Sequence, residues 1–176
     1  MLRLRTIWAI GLLLSGAPVL ATSASASTRP EPACSSAQLV VLASGSLAAA
    51  GNGSMAFDVV NRGASCRIDG YPSVTFLNAI GRAVDNRDFH NSSSMLFAEP
   101  KASMVTIARN GVATFGVSWG NNPVNDEACP LSANAVVELR SGVENFWGEV
   151  PIDPSPCGNY LVVTPIESGA WPRPNG

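Results

Sequence analysis

The chain has 176 residues, of which 46% are hydrophobic and 14% charged, with a formal net charge of -2. An average soluble domain carries about 25% charged residues. The low charge and the absence of heptads or basic runs exclude a disordered charged tail, a coiled coil and a strongly electrostatic nucleic-acid binder.

Residues 1–26 read as a secretory signal. Arg3 and Arg5 form a positive start, residues 7–20 an apolar stretch, and Ala24-Ser25-Ala26 a small-residue cleavage pattern. Cleavage is expected after Ala26, with Ala21 as the second choice. The stretch falls short of the ~20 residues that span a bilayer, and the mature chain contains no other candidate span. Removing Arg3 and Arg5 leaves nine Lys/Arg against thirteen Asp/Glu, a net charge of -4. The tripeptide before Cys34, Glu31-Pro32-Ala33, is a poor lipid-attachment signal. Free secretion, to the extracellular space or cell wall, is therefore expected.

All four cysteines, Cys34, Cys66, Cys129 and Cys157, lie after the signal. An even count in an exported chain suggests disulfides. Three pairings are possible. Sequential pairing, Cys34 with Cys66 and Cys129 with Cys157, is expected; it closes loops of about 30 residues, worth roughly 3–4 kcal/mol each. No C-x-x-C occurs and the only histidine stands far from every cysteine, so neither a metal nor a cofactor is expected.

In chain order, residues 27–33 are a short polar leader, expected to be flexible. Residues 38–43 form the first strand-like run. Residues 55–61 alternate, with Met55, Phe57 and Val59 on one face. A short run at 66–68 leads into Asp69-Gly70-Tyr71-Pro72, and Val74 and Phe76 begin another period-2 set. Residues 85–100 read as a long irregular loop. Residues 104–108 and 112–119, joined through Arg109-Asn110-Gly111, read as a hairpin, because Asn and Gly both tolerate positive φ. Ala113, Phe115, Val117 and Trp119 share its core face. Further strands are expected at 135–139, 146–150 and 161–165, before a Pro-rich tail at 170–176. After the signal, no segment keeps a 3.6-residue period for three turns. The expected fold is all-β: one antiparallel, immunoglobulin-like β-sandwich over residues 34–169, with two disulfides.

The segment Cys66-Arg-Ile-Asp-Gly-Tyr-Pro-Ser-Val74, the early Cys34, the Asn-Gly turn and the late Cys129 and Cys157-Gly158 resemble a family of secreted actinobacterial proteins. That family is known as a domain of unknown function, family 4232. The resemblance covers about residues 34–169. It implies a β-sandwich and export, and it supplies no catalytic residue.

Gly116-Val-Ser118-Trp-Gly120 fits the nucleophile-elbow pattern, but that motif needs a following helix and a later histidine. Here Asn-Asn-Pro follows and His90 precedes. Asp88-Phe-His90 invites a Ser-His-Asp reading, though neighbours in one loop rarely converge. The oxygen-rich stretches at 85–88 and 121–127 match no calcium-loop spacing. Asn52 and Asn91 begin glycosylation sequons that matter only in a eukaryotic host. Phe146-Trp147 reads as core, or else as a surface platform. The expected function is a secreted, envelope-associated, non-enzymatic binding module whose partner is an envelope protein or glycan. Its expected binding loop contains Asp85, Arg87, Asp88, Phe89 and His90. The alternative is an envelope hydrolase that uses His90 with nearby carboxylates or Ser118.

Overall fold

A computed structural model describes residues 30–84, 87–90, 101–123, 128–141 and 144–171. The expected signal and most of the expected Pro-rich tail lie outside them. Strands dominate. In chain order they are β1 (Leu39–Ala49), β2 (Asn52–Asn61), β3 (Cys66–Ile68), β4 (Ser73–Leu77), β5 (Arg87–His90), β6 (Val105–Ile107), β7 (Val112–Gly120), β8 (Asn134–Ser141), β9 (Glu144–Pro151), β10 (Cys157–Val163) and β11 (Glu167–Ser168). One turn of 3-10 helix, Ser36–Gln38, precedes β1. Among the described residues no helix is long and apolar enough to cross a membrane.

The larger sheet runs β1-β2-β7-β10-β5, with β11 added along β7; a second is β4-β8-β9, and β3 pairs with β6 alone. The alternation foreseen in β2 and β7 places Phe57 directly opposite Phe115, their rings stacked at 5.1 Å. Phe76 from β4 meets Trp119 from β7 edge-on at 5.6 Å, so the two larger sheets close on one core. Phe57, Phe76, Phe115, Val117, Leu139 and Leu161 are its fully buried centre. Apolar burial of that kind is the main force holding sheet to sheet. The cysteines pair as Cys34–Cys66 and Cys129–Cys157. Pro32 and Ala33, at the end of the expected leader, are tied to β3 through bonds with Arg67.

Three local expectations are corrected. First, the Asn-Gly turn does not close a hairpin. Gly111 N–H donates to Ala108 at 2.8 Å, and only Asn110, the third residue of the turn, has positive φ (59°). That is the type II pattern, whose twist splays flanking strands. β6 therefore leaves for β3 while β7 joins β2. Secondly, the tight hairpin lies elsewhere. Ala50 (φ 49°) and Gly51 (φ 77°) both occupy the left-handed region between β1 and β2, as a type I′ turn requires. Asn121 N–H donates to Gly51 at 2.7 Å and holds this turn in place. Thirdly, residues 87–90, expected as loop, form β5, which runs parallel to β10. The larger sheet is thus mixed rather than purely antiparallel.

The corner between β2, β3 and β6 is organised by Asn61, which is fully buried. Its amide donates to the carbonyls of Ala64 (2.7 Å) and Ile107 (2.9 Å). Its side-chain oxygen accepts from Gly63 N–H (2.8 Å) and Gln38 Nε2 (3.0 Å). A side chain with two donors and one acceptor oxygen is here fully engaged.

Candidate functional site

The expected binding loop is divided by the structure. Asp85 lies outside the described residues, and Arg87 is described only as backbone in β5. The other three point to alternate sides of β5, as period-2 geometry demands. Asp88 accepts hydrogen bonds from the Ser73 hydroxyl and from Val74 N–H (2.9 Å). These bonds fasten the edge of the larger sheet to β4, the edge of the smaller one. Phe89 is exposed and meets Tyr160 of β10 edge-on at 6.1 Å. His90 stacks on Tyr71 with ring centroids 5.1 Å apart and planes 12° apart.

His90 and Tyr71 line a groove of about 420 Å³ together with Asp69, Ser73, Glu138 and Arg140. Sequence position explains each contribution. Asp69 and Tyr71 sit on the turn between β3 and β4. Along β8, Val137 and Leu139 face the core while Glu138 and Arg140 face outward. Ser73 is the register partner of Glu138. Glu138 and Arg140 belong to no sequence motif, and Tyr71 enters the sequence analysis only within the Asp-Gly-Tyr-Pro segment; no local pattern links the three to His90. The one usable signal was strand alternation in β8, which places both charged residues on the same outer face.

The hydrolase geometry is not assembled by these contacts. The Ser73 hydroxyl is bonded to Asp88, while the His90 ring is engaged with Tyr71. Ser118 lies inside β7, opposite Ser54 and Val162, and the strand continues to Gly120 rather than turning into a helix. The side chains of Phe146 and Trp147 lie outside the described set.

Neither a curated protein nor a solved structure matches the chain. Residues 34–167 match the family described as a domain of unknown function, DUF4232. That span opens at Cys34, the first disulfide cysteine, and closes at Glu167 in β11, so it holds both bridges and every strand but the final residue of β11. The chain therefore belongs to the DUF4232 family.

Proposed function

We propose that the protein is an exported, non-enzymatic binding module of the cell envelope that recognises glycan through the Tyr71–His90 groove. The observation that carries this reading is the composition of the groove. An aromatic stack lies in one concavity with the carboxylates of Asp69 and Glu138 and the guanidinium of Arg140. A sugar ring offers an apolar C–H face and adjacent hydroxyls that both donate and accept. Aromatic rings serve the first. Planar carboxylates and guanidinium, with paired acceptors and paired donors, serve the second. Such a mixture of apolar surface and a few convergent polar groups is the usual make-up of a ligand site.

Export is supported by the signal pattern at residues 1–26 and by two disulfides, which persist in oxidising compartments. A non-enzymatic role is supported by the place of Ser118, the hydroxyl of the hydrolase alternative, which lies inside β7 and not on a strand-to-helix turn.

The test is co-sedimentation of oxidised protein lacking residues 1–26 with purified insoluble cell-wall polysaccharide, followed by titration with its soluble fragments. Arg140→Ala and His90→Ala should each weaken binding about tenfold or more, the range of an interface hot spot, with unchanged melting temperature. Full binding by both folded variants would overturn the assignment.

A further inference from the structure

The sheet edges of this molecule are guarded unequally. The outer edge of β4 is occupied: Val74 N–H donates to Asp88, and the Phe76 carbonyl accepts from Val84 N–H at 2.8 Å. β3 is covered by Pro32 and Cys34, which bond to Arg67. β5 carries Arg87 and Asp88, and β9 carries Glu144 and Glu149. Cover and charge are the usual guards against edge-to-edge pairing. The outer half of β1 has neither. From Cys34 to Phe57 the chain holds no charged residue and no proline. Among the described residues β1 pairs with β2 alone. Val41 is buried, but within residues 42–49 every position is exposed except Ser44, which is half-buried.

The direction of the free backbone groups follows from the ladder. Ala49 and Asn52 flank the two-residue turn and so form a hydrogen-bonded pair, as does the next alternate pair, Leu47 with Ser54. Ser46 and Ala48 therefore aim their N–H and C=O groups away from β2. The bond from Asn121 N–H to Gly51 fits this phase, because it assigns Gly53 and Met55 to the ladder with β7. The bulge at Ser44 shifts the phase and confines the open run to residues 45–49. Within Gly45-Ser46-Leu47-Ala48-Ala49 one large side chain stands among small ones. Leu47 is 36% exposed, and a Cβ on Gly45 would meet nothing within 4 Å.

We propose that this edge pairs with the same edge of a second copy of the chain, antiparallel about a two-fold axis at Leu47. Ser46 then meets Ala48 of the second copy and Ala48 meets its Ser46, each pair exchanging two backbone hydrogen bonds. Leu47 faces its own counterpart in the close, non-hydrogen-bonded pair between them. A second copy fits because the segment is self-complementary. The chain after residue 26 has a net charge of -4, yet this edge brings no charge against its twin. The contact is short, so the dimer is weak and reversible. It lies apart from the groove and does not depend on the glycan reading.

The experiment is sedimentation velocity of the oxidised chain from residue 27 onward, between about 1 μM and about 1 mM, the range of a weak complex. A monomer–dimer equilibrium should appear, and the amide signals of ¹⁵N-labelled Ser46, Leu47 and Ala48 should move with concentration. Leu47→Lys and Leu47→Glu should each weaken the dimer about tenfold or more with unchanged melting temperature, because like charges would lie directly opposite. Mixing the two variants should restore it, since Lys then faces Glu across the axis. A wild-type chain that stays monomeric throughout overturns the proposal. So does a dimer that neither variant weakens, one that mixing does not restore, or one whose concentration-dependent shifts fall outside β1. If a variant misfolds, the wild-type sedimentation and shifts decide alone.

Discussion

Two polar regions of this molecule put hydrogen-bonding side chains to opposite ends. At the β2–β3–β6 corner, Asn61 is fully buried and its amide is committed to backbone groups and Gln38. At the groove, His90 and Arg140 are exposed, and among the described residues the neighbouring Asp88 bonds to Ser73 and Val74 of β4 rather than to the cluster. A saturated buried amide specifies the fold: it decides where β6 parts from β7. A cluster left open to solvent keeps its hydrogen-bonding capacity for something else. The contrast separates stability from recognition, and mutation can break it in either region.

The largest effect is expected at the corner. Asn61→Ala removes four hydrogen bonds, one of them shared between the carbonyls of Ile107 and Ala108, and takes a partner from the buried Ile107 carbonyl. At about 1 kcal/mol per bond, the loss should be about 4 kcal/mol by urea denaturation, with groove binding intact in the folded fraction. A loss below about 1 kcal/mol would show that the corner holds itself. Next comes the Cys34–Cys66 bridge, which ties the chain start to β3. The double Ser variant should lose roughly 3 kcal/mol through a freer unfolded chain, measured in the same way.

Asp88→Ala should be intermediate. It leaves Val74 N–H without its acceptor, a cost of about 1–3 kcal/mol. Amide exchange at Val74 should quicken, and groove binding should weaken because β5 no longer holds His90 in place. The smallest effect belongs to Glu167, which pairs with Thr114 across β11 and β7. Burial pushes its carboxyl above the usual range. A carboxyl raised in the folded state opposes folding once ionised, so stability falls as pH rises through that raised value. Glu167→Gln should therefore raise the melting temperature slightly at pH 7. The gain should vanish in acid below the ordinary carboxylate range.

Much of the fold was legible in the sequence because it rests on local patterns. Met55, Phe57 and Val59, or Phe115, Val117 and Trp119, alternate as strands with one buried face must, and the even cysteine count signalled both bridges. The turns were less legible because their geometry is set at a distance. Asn110-Gly111 has hairpin chemistry, yet Asn61 recruits the neighbouring carbonyls and turns the chain away. Ala50-Gly51 has weaker chemistry, yet contact with Asn121 fixes a type I′ turn. β5 was missed because Arg-Asp-Phe-His carries no hydrophobic alternation; its backbone is held by β10 and its carboxylate by β4. The groove was half legible. His90 and Asp88 stood out as chemistry, while Tyr71, Glu138 and Arg140 reach them only through the packing of two sheets.

The most direct measurement is chemical-shift mapping of the ¹⁵N-labelled, oxidised protein with a soluble wall oligosaccharide that it binds. The account predicts that the largest amide shifts fall on Tyr71, Ser73, His90, Glu138 and Arg140, and that Asn61, Gly63 and Ile107 stay within error. Shifts centred on the Asn61 corner or along β1, with the groove unmoved, would contradict it.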